Sequence, residues 1–359
     1  MRIAICGRVK ELYPGKIGGL ESFHRRIAYQ LVKEGHEVDY HLYGPIKGEI
    51  TSFGPKIKIF YYNSHEEFRK KANLKLYQLI HITMINMRDV LKLLPIRIFT
   101  STKIYLFCFY YEEALSLINN KKWRLLLIKF VFHKIIGISP RIVRVLNENN
   151  LSASLIYPPV SKEYFCDIRE KQKLKEQIII SYMGRIDQDK GLENVLNVFQ
   201  RLKESYGEKI KLQIIGSYSP STPTSLSLHK EIQNLKEIEY VARELDYYTS
   251  FGEDFLLHAI RETDILFLPY ANLDRSLDLP LLVLEGIASL CIIISTPVGD
   301  IPEILQDKDL IGTREELYGK IADLVENRKT FESKKNYIAK LRDNLSIEVS
   351  CFVNQYLNL

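Results

Sequence analysis

The chain alternates between short apolar runs and longer segments whose apolar residues recur every three or four positions. Residues 2–6, RIAIC, form an apolar run that can be buried on both faces of a parallel sheet. A loop leads to Gly18 and Gly19. Leu20, Phe23, Ile27 and Leu31 then recur at helical spacing, while Arg25, Arg26 and Lys33 face elsewhere. Gly35 is a good helix stop, and residues 36–43 alternate as the next strand. Together these predict one βαβ unit with a right-handed crossover. Further strands are predicted at 57–62, 79–83, 104–109, 134–138 and 154–157, with helical patterns between several of them. Ser139 and Pro140 place a capping hydroxyl and a proline at a helix start. Pro158 and Pro159 stiffen the chain, and a domain boundary is expected there.

The same rhythm restarts beyond them. Strands are expected at 178–183, 211–215, 239–243, 265–269 and 292–295, and a helix at 192–206 carries Val195, Leu196, Phe199 and Leu202 on one side. Residues 217–227, rich in Ser, Thr and Pro, read as an exposed loop. The pattern predicts an α/β chain of two doubly wound parallel-sheet domains, 1–158 and 159–344. Ligands of such sheets bind beyond the strand carboxyl ends, so the loops that follow strands are where chemistry is expected.

Composition narrows the classes. A length of 359 residues suits about two domains, and 46% hydrophobic with 26% charged residues excludes a disordered chain. No uncharged apolar run reaches the ~18 residues of a membrane span; the longest, 279–295, is broken by Glu285. The first residues lack the pattern of a signal peptide. Five scattered cysteines with no CxxC pair give neither a disulfide framework nor a zinc site, so a cytoplasmic protein is expected. A net charge of +6 fits an anionic ligand or a membrane surface and is too mild to argue for nucleic acid.

Three loops could carry chemistry. Residues 7–19 lead into a helix N-terminus, which favours negative charge, and the loop is not GxGxxG, which weakens a dinucleotide oxidoreductase reading. In 183–191, MGRIDQDKG, Arg185 offers a planar donor fork and Lys190 a compact charge; both could converge on a diphosphate, or both could be solvated surface cations. In 279–288, LPLLVLEGIA, Glu285 sits inside an apolar helix and needs a partner, either a pair of ligand hydroxyls or a buried cation.

The segments GGLESF (18–23), YMGRIDQDKG (182–191), LPLLVLEGIA (279–288) and STPVGDIP (295–302) resemble, in order and spacing, the retaining GT-B glycosyltransferases of the GT4 type. IYPPV (156–160) is similar to the family's hinge entry, and NLSIEV (344–349) to the start of its last helix, which returns to the N-terminal domain. The resemblance implies an acceptor-side domain over 1–158, a nucleotide-sugar domain over 159–344, and a helix at about 345–359 packing on the first. It implies that Arg185 and Lys190 neutralise the donor diphosphate and act catalytically, that Glu285 holds the ribose hydroxyls, and that Gly18 and Gly19 close over the phosphates and sugar. Asp278 and Leu281 complete the donor-binding set. Gly299 is implied to be structural.

There are departures from that pattern. The family's second Glu, eight residues before Glu285, is replaced by Leu277, and Pro280 stands where a glycine is usual. Asp278 or Asp274 could substitute for the missing acid. A family histidine near residue 108 is absent from CFYYEE (108–113), leaving Tyr110, Glu112 or Glu113, and more weakly His81, as acceptor-side candidates.

The reaction so implied moves a hexose from a UDP- or GDP-sugar to a saccharide acceptor with retention, by stabilising the leaving group and positioning the acceptor. No acidic cluster demands a metal, and no cofactor is expected. Residues 120–137, NKKWRLLLIKFVFHKIIG, mix Lys121, Lys122, Arg124, Lys129 and Lys134 with Trp123, Leu126, Leu127, Phe130 and Val131. Such a stretch can lie on an anionic membrane, with RKK (69–71) and Lys75 adding to the basic side, or it can be an internal helix with solvated cations. The membrane alternative implies a lipid-linked acceptor at the cytoplasmic face. A sugar-nucleotide epimerase on the same fold and a non-catalytic nucleotide-sugar-binding relative remain as other classes.

Overall fold

The computed structural model describes residues 1–12, 18–45, 56–83, 87–119, 122–171, 177–244, 253–273 and 276–359. The chain divides into two compact units, Met1–Pro159 with Glu348–Leu359, and Val160–Ile347.

The first unit runs β1 (Arg2–Arg8), α1 (Gly19–Lys33), β2 (Glu37–Tyr43), β3 (Ile57–Tyr62), α2 (His65–Lys71), β4 (Leu79–Thr83), α3 (Met87–Phe99), β5 (Lys103–Cys108), α4 (Tyr111–Ile118), α5 (Lys122–Val131), β6 (Lys134–Gly137), α6 (Pro140–Glu148) and β7 (Ala153–Leu155). Its strands form one parallel sheet in the order β3-β2-β1-β4-β5-β6-β7. Strands β1, β4 and β5 are almost wholly buried, which accounts for their continuous apolar sequence. Ser139 accepts from Ile142 N at 3.3 Å and caps α6, with Pro140 at its first position.

The second unit runs β8 (Ile178–Arg185), α7 (Leu192–Tyr206), β9 (Ile210–Tyr218), α8 (Pro223–Gln233), β10 (Glu239–Glu244), α9 (Glu253–Glu262), β11 (Ile265–Leu268), α10 (Leu281–Ala288), β12 (Ile292–Ser295), α11 (Ile301–Leu305), α12 (Leu317–Glu326) and α13 (Arg328–Asn344). Its parallel sheet has the order β10-β9-β8-β11-β12. One expectation is corrected here: of the polar stretch 217–227 only 219–222 is a loop, since β9 runs to Tyr218 and α8 begins at Pro223. Ser225 is buried, donating to Ile186 O at 2.6 Å and accepting from Ser219 N at 2.9 Å, so a residue that reads as solvent-facing ties the helix to the sheet.

The last helix, α14 (Val349–Asn358), belongs to the first unit. Phe352 meets Phe23 of α1 edge-on at 5.4 Å, and Phe23 in turn meets Phe107 and Phe109. Beneath them His81 of β4 lies flat on Phe107 at 3.9 Å, with His24 of α1 edge-on at 5.0 Å. Both histidines are fully buried.

Candidate functional site

In each sheet the chain leaves one strand for two neighbours on one side and then crosses to the other side. The second unit reverses between β8 and β11, and a crevice forms beyond the carboxyl ends of two strands at such a point. The segments that follow these two strands meet closely. Ala271 N donates to Asp189 O at 3.0 Å. Gly191 has φ +73, and a Cβ there would fall 1.7 Å from Pro269 O, so only glycine permits this approach. Ile186 N donates to Ser217 O at 2.8 Å, and Thr296 Oγ1 to Tyr270 O at 2.7 Å, which pins both segments to neighbouring strand ends.

Two cations stand in this crevice. Lys190 is 5% exposed; its ammonium donates to Ser276 Oγ and lies 5.1 Å over the Tyr270 ring. Arg185 closes β8. Its Nη1 is 3.8 Å from Asp187, while its Nη2 is buried with no hydrogen-bond partner among the described residues. A buried guanidinium donor without an acceptor is costly, and an anionic oxygen relieves that cost.

Glu285 lies half-buried in α10. Burial raises the Tyr270 hydroxyl well above its usual range, with the Glu285 charge adding to the rise and Arg185 opposing it. That places Glu285, Tyr270 and Arg185 within one electrostatic neighbourhood. Asp278 and Leu281 are buried on the way into α10, and the Asp278 carbonyl accepts from Asp300 N at 3.2 Å. Gly299, at φ +56, brings its backbone against Asp278 O and Leu273. Leu277 is 4% exposed, so the position that carries the second Glu in the resembled family is part of the core. Asp274 lies outside the described residues.

The remaining candidates belong to the first unit. Gly18 caps α1 with extended backbone, its carbonyl accepts from Ser22 N at 2.9 Å, and Gly19 is the first helical residue. Tyr110 caps α4 and Glu112 is exposed in its first turn, just past the end of β5. Glu113 is taken up by the helix start, accepting from Phe109 N at 3.1 Å. His81, the weaker acceptor-side candidate, sits inside the core at 0% exposure.

Sequence reasoning passed over Tyr270 and Ser276, which hold Lys190. The available signal was position, since Tyr270 follows the end of β11 by two residues. It also passed over a polar group near the ends of β1 and β4. There His65 of α2 pairs with Asp89 of α3, Tyr43 stacks on His65 at 4.4 Å, and Lys92 donates to Phe68 O at 2.7 Å. Burial pushes the Lys92 ammonium down to about 8. Among the described residues no group of His, Cys, Asp and Glu is placed to hold a metal ion.

The whole chain superposes on solved two-unit enzymes. Sucrose-phosphate synthase from Thermosynechococcus elongatus aligns with a TM-score of 0.71 at 14% identity, over 99% of this chain and 97% of that one. Anabaena HepE in complex with UDP and glucose aligns with a TM-score of 0.68 at 11% identity, over 100% and 98%. The chain has the GT-B fold. A glycosyltransferase from Rickettsia africae ESF-5 carries this GT-B architecture too, with a TM-score of 0.67 at 14% identity over 99% and 97%. The model of the family "Glycosyl transferases group 1" matches residues 166–343, nearly all of the second GT-B unit. A comparison with curated protein sequences finds no match. Family model and fold together support a GT-B glycosyltransferase.

Proposed function

We propose that this chain transfers a hexose from a UDP-sugar to a saccharide acceptor with retention of anomeric configuration. The second unit is read as the donor site and the first as the acceptor side. The observation that carries the reading is the buried Nη2 of Arg185, without a hydrogen-bond partner among the described residues, in the same loop as the buried Lys190 at the crossover of the second sheet. Two cations held in a partly dry crevice suit the two negative charges of a nucleoside diphosphate. UDP is preferred to GDP because structural neighbours are described in complex with UDP or UDP-glucose.

In the transfer, positive charge grows at the anomeric carbon and negative charge on the departing diphosphate. Arg185 and Lys190 stabilise the second as it forms, so they lower the barrier as well as hold the donor. No paired carboxylates straddling the sugar, as in a glycosidase, are invoked. Gly18 and Gly19 cover the phosphates and sugar, Asp278 and Leu281 line the donor, and Tyr110 and Glu112 line the acceptor. The acceptor is a saccharide carried on a lipid, at the cytoplasmic face of a membrane.

Two measurements test this. Incubation with a panel of UDP- and GDP-hexoses is expected to give tight binding and slow hydrolysis of a UDP-hexose; binding of no nucleotide sugar overturns the reading. Glu285→Gln keeps the side-chain size and removes the charge that meets the ribose hydroxyls. UDP affinity by calorimetry is expected to fall by about 5- to 30-fold, less than a whole charged hydrogen bond because the amide oxygen still accepts, with the melting temperature nearly unchanged. A large loss of melting temperature with unchanged affinity would instead make Glu285 half of a structural ion pair.

A further inference from the structure

Six of the twelve large apolar side chains exposed among the described residues lie on two helices of the first unit. On α3 they are Leu91, Ile98 and Phe99, at 54%, 53% and 78% exposure; on α5 they are Trp123, Leu126 and Phe130, at 56%, 65% and 50%. The two helices pack on each other, and Arg97 joins them, its Nε donating to Phe130 O at 3.0 Å and its guanidinium lying over the Phe130 ring. Ile128 and Val131 of α5, and Val90, Leu93 and Ile96 of α3, face the core, so the outer side chains are surplus to the unit's own packing. Soluble surfaces seldom leave so many large apolar groups together without an occupant.

The charge on this face identifies the occupant. The exposed positions of α3 are Arg88, Leu91, Pro95, Ile98 and Phe99, and those of α5 are Lys122, Trp123, Leu126, Lys129 and Phe130. None is acidic. The acid of α3, Asp89, is buried and paired with His65. Each outer stripe therefore mixes apolar groups with cations alone. A second copy of the chain meeting this face symmetrically would set cation against cation. A surface that is negative at its boundary and apolar just below it satisfies both kinds of side chain, with the cationic stems running along the apolar groups.

We propose that the α3–α5 face docks on anionic lipid headgroups, with Trp123, Leu126, Phe130, Ile98 and Phe99 entering the acyl boundary. The surface extends beyond the basic stretch visible in the sequence, because α3 supplies half of its apolar side chains. Docking itself needs no nucleotide sugar, so it stands or falls apart from the donor reading. Its bearing on a lipid-carried acceptor rests on the transfer reading.

Trp123 is the single tryptophan of the chain, so its emission reports this face alone. The full-length protein is titrated with phosphatidylcholine vesicles, with and without phosphatidylglycerol, and binding is read by cosedimentation and by Trp123 emission. Binding with a blue shift is expected on the anionic vesicles only, and it should weaken as salt shortens the range of the charges. Lys122→Ser with Lys129→Ser should lower partitioning about 25-fold, roughly fivefold per cation. Leu126→Ser with Phe130→Ser should abolish the blue shift. These four positions are exposed, and unchanged far-ultraviolet dichroism shows that the variants fold. Absence of cosedimentation at low salt overturns the proposal, as does equal binding to neutral vesicles. A blue shift that rises with protein concentration without vesicles, together with a doubled mass by light scattering, assigns the face to a second copy and overturns it as well.

Discussion

Arg185→Ala and Lys190→Ala should each weaken UDP-sugar binding by about 10- to 150-fold, the size of one charge-assisted contact at 1.5–3 kcal/mol. The double variant should lose turnover as well as affinity, because the diphosphate gains negative charge as the glycosidic bond breaks. Interactions that strengthen on the way to the transition state appear in kcat. Arg185→Lys separates charge from geometry. It keeps the cation and loses the planar fork that presents Nη2 to the crevice, so affinity should fall between wild type and Ala. Folding should survive, because Arg185 Nη2 makes no hydrogen bond to the described residues. Calorimetric titration with UDP and steady-state transfer rates measure both. Wild-type affinity and turnover in both alanine variants would remove the diphosphate from this crevice.

Acid should destabilise the first unit far earlier than carboxylate titration would. His24 Nδ1 is 2.7 Å from Leu20 O, so it carries the proton and donates. Its Nε2 is then an acceptor, and His81 Nε2 at 3.3 Å must be the donor. His81 Nδ1 is left as a buried acceptor with no partner among the described residues. The rings around the pair are Phe23, Phe107, Phe109 and Tyr356. Burial pushes His24 down to about 3, with its bond to Leu20 opposing, and burial with the neighbouring His24 holds His81 well below its usual range. Unfolded, both histidines take up a proton near pH 6.5. Below that pH the unfolded chain binds more protons than the folded one, so stability falls as pH falls. Each histidine should cost about 2 kcal/mol at pH 5, and the pair about 4. Denaturant titrations at pH 7 and pH 5 on wild type and His81→Met measure this. Because other histidines of this unit are also held below their usual range, His41 down to about 4 by burial, the variant should lose about 2 kcal/mol less than wild type between the two pH values; equal losses in the two proteins would mean that the buried His24–His81 pair does not contribute to the pH dependence.

The parallel strands were legible because their apolar runs are continuous, and Arg185 and Lys190 because charge follows directly on such a run. Other features follow from contacts that sequence does not order. His65, Asp89 and Lys92 come from two helices and read separately as ordinary polar residues. Helix α8 was hidden by its Ser, Thr and Pro content, since Ser225 works through two hydrogen bonds inward. The outer face of α3 was hidden because MRDVLKLLPIRIF is apolar nearly all round, and only packing decides which side is surplus. Tyr270 was overlooked because an aromatic next to a buried strand usually belongs to the core.

The first unit is built from two distant stretches of sequence, whereas the second is one uninterrupted stretch, Val160–Ile347. During synthesis the ribosome delivers Met1–Pro159 early, yet Phe352 and Tyr356, both fully buried there, arrive nearly two hundred residues later. The usual order, in which the N-terminal domain folds first, is therefore reversed in its completion. The second unit can close while the first waits with the Phe23, Phe107 and His81 surface uncovered, which makes the nascent first unit the part of this chain most in need of a chaperone.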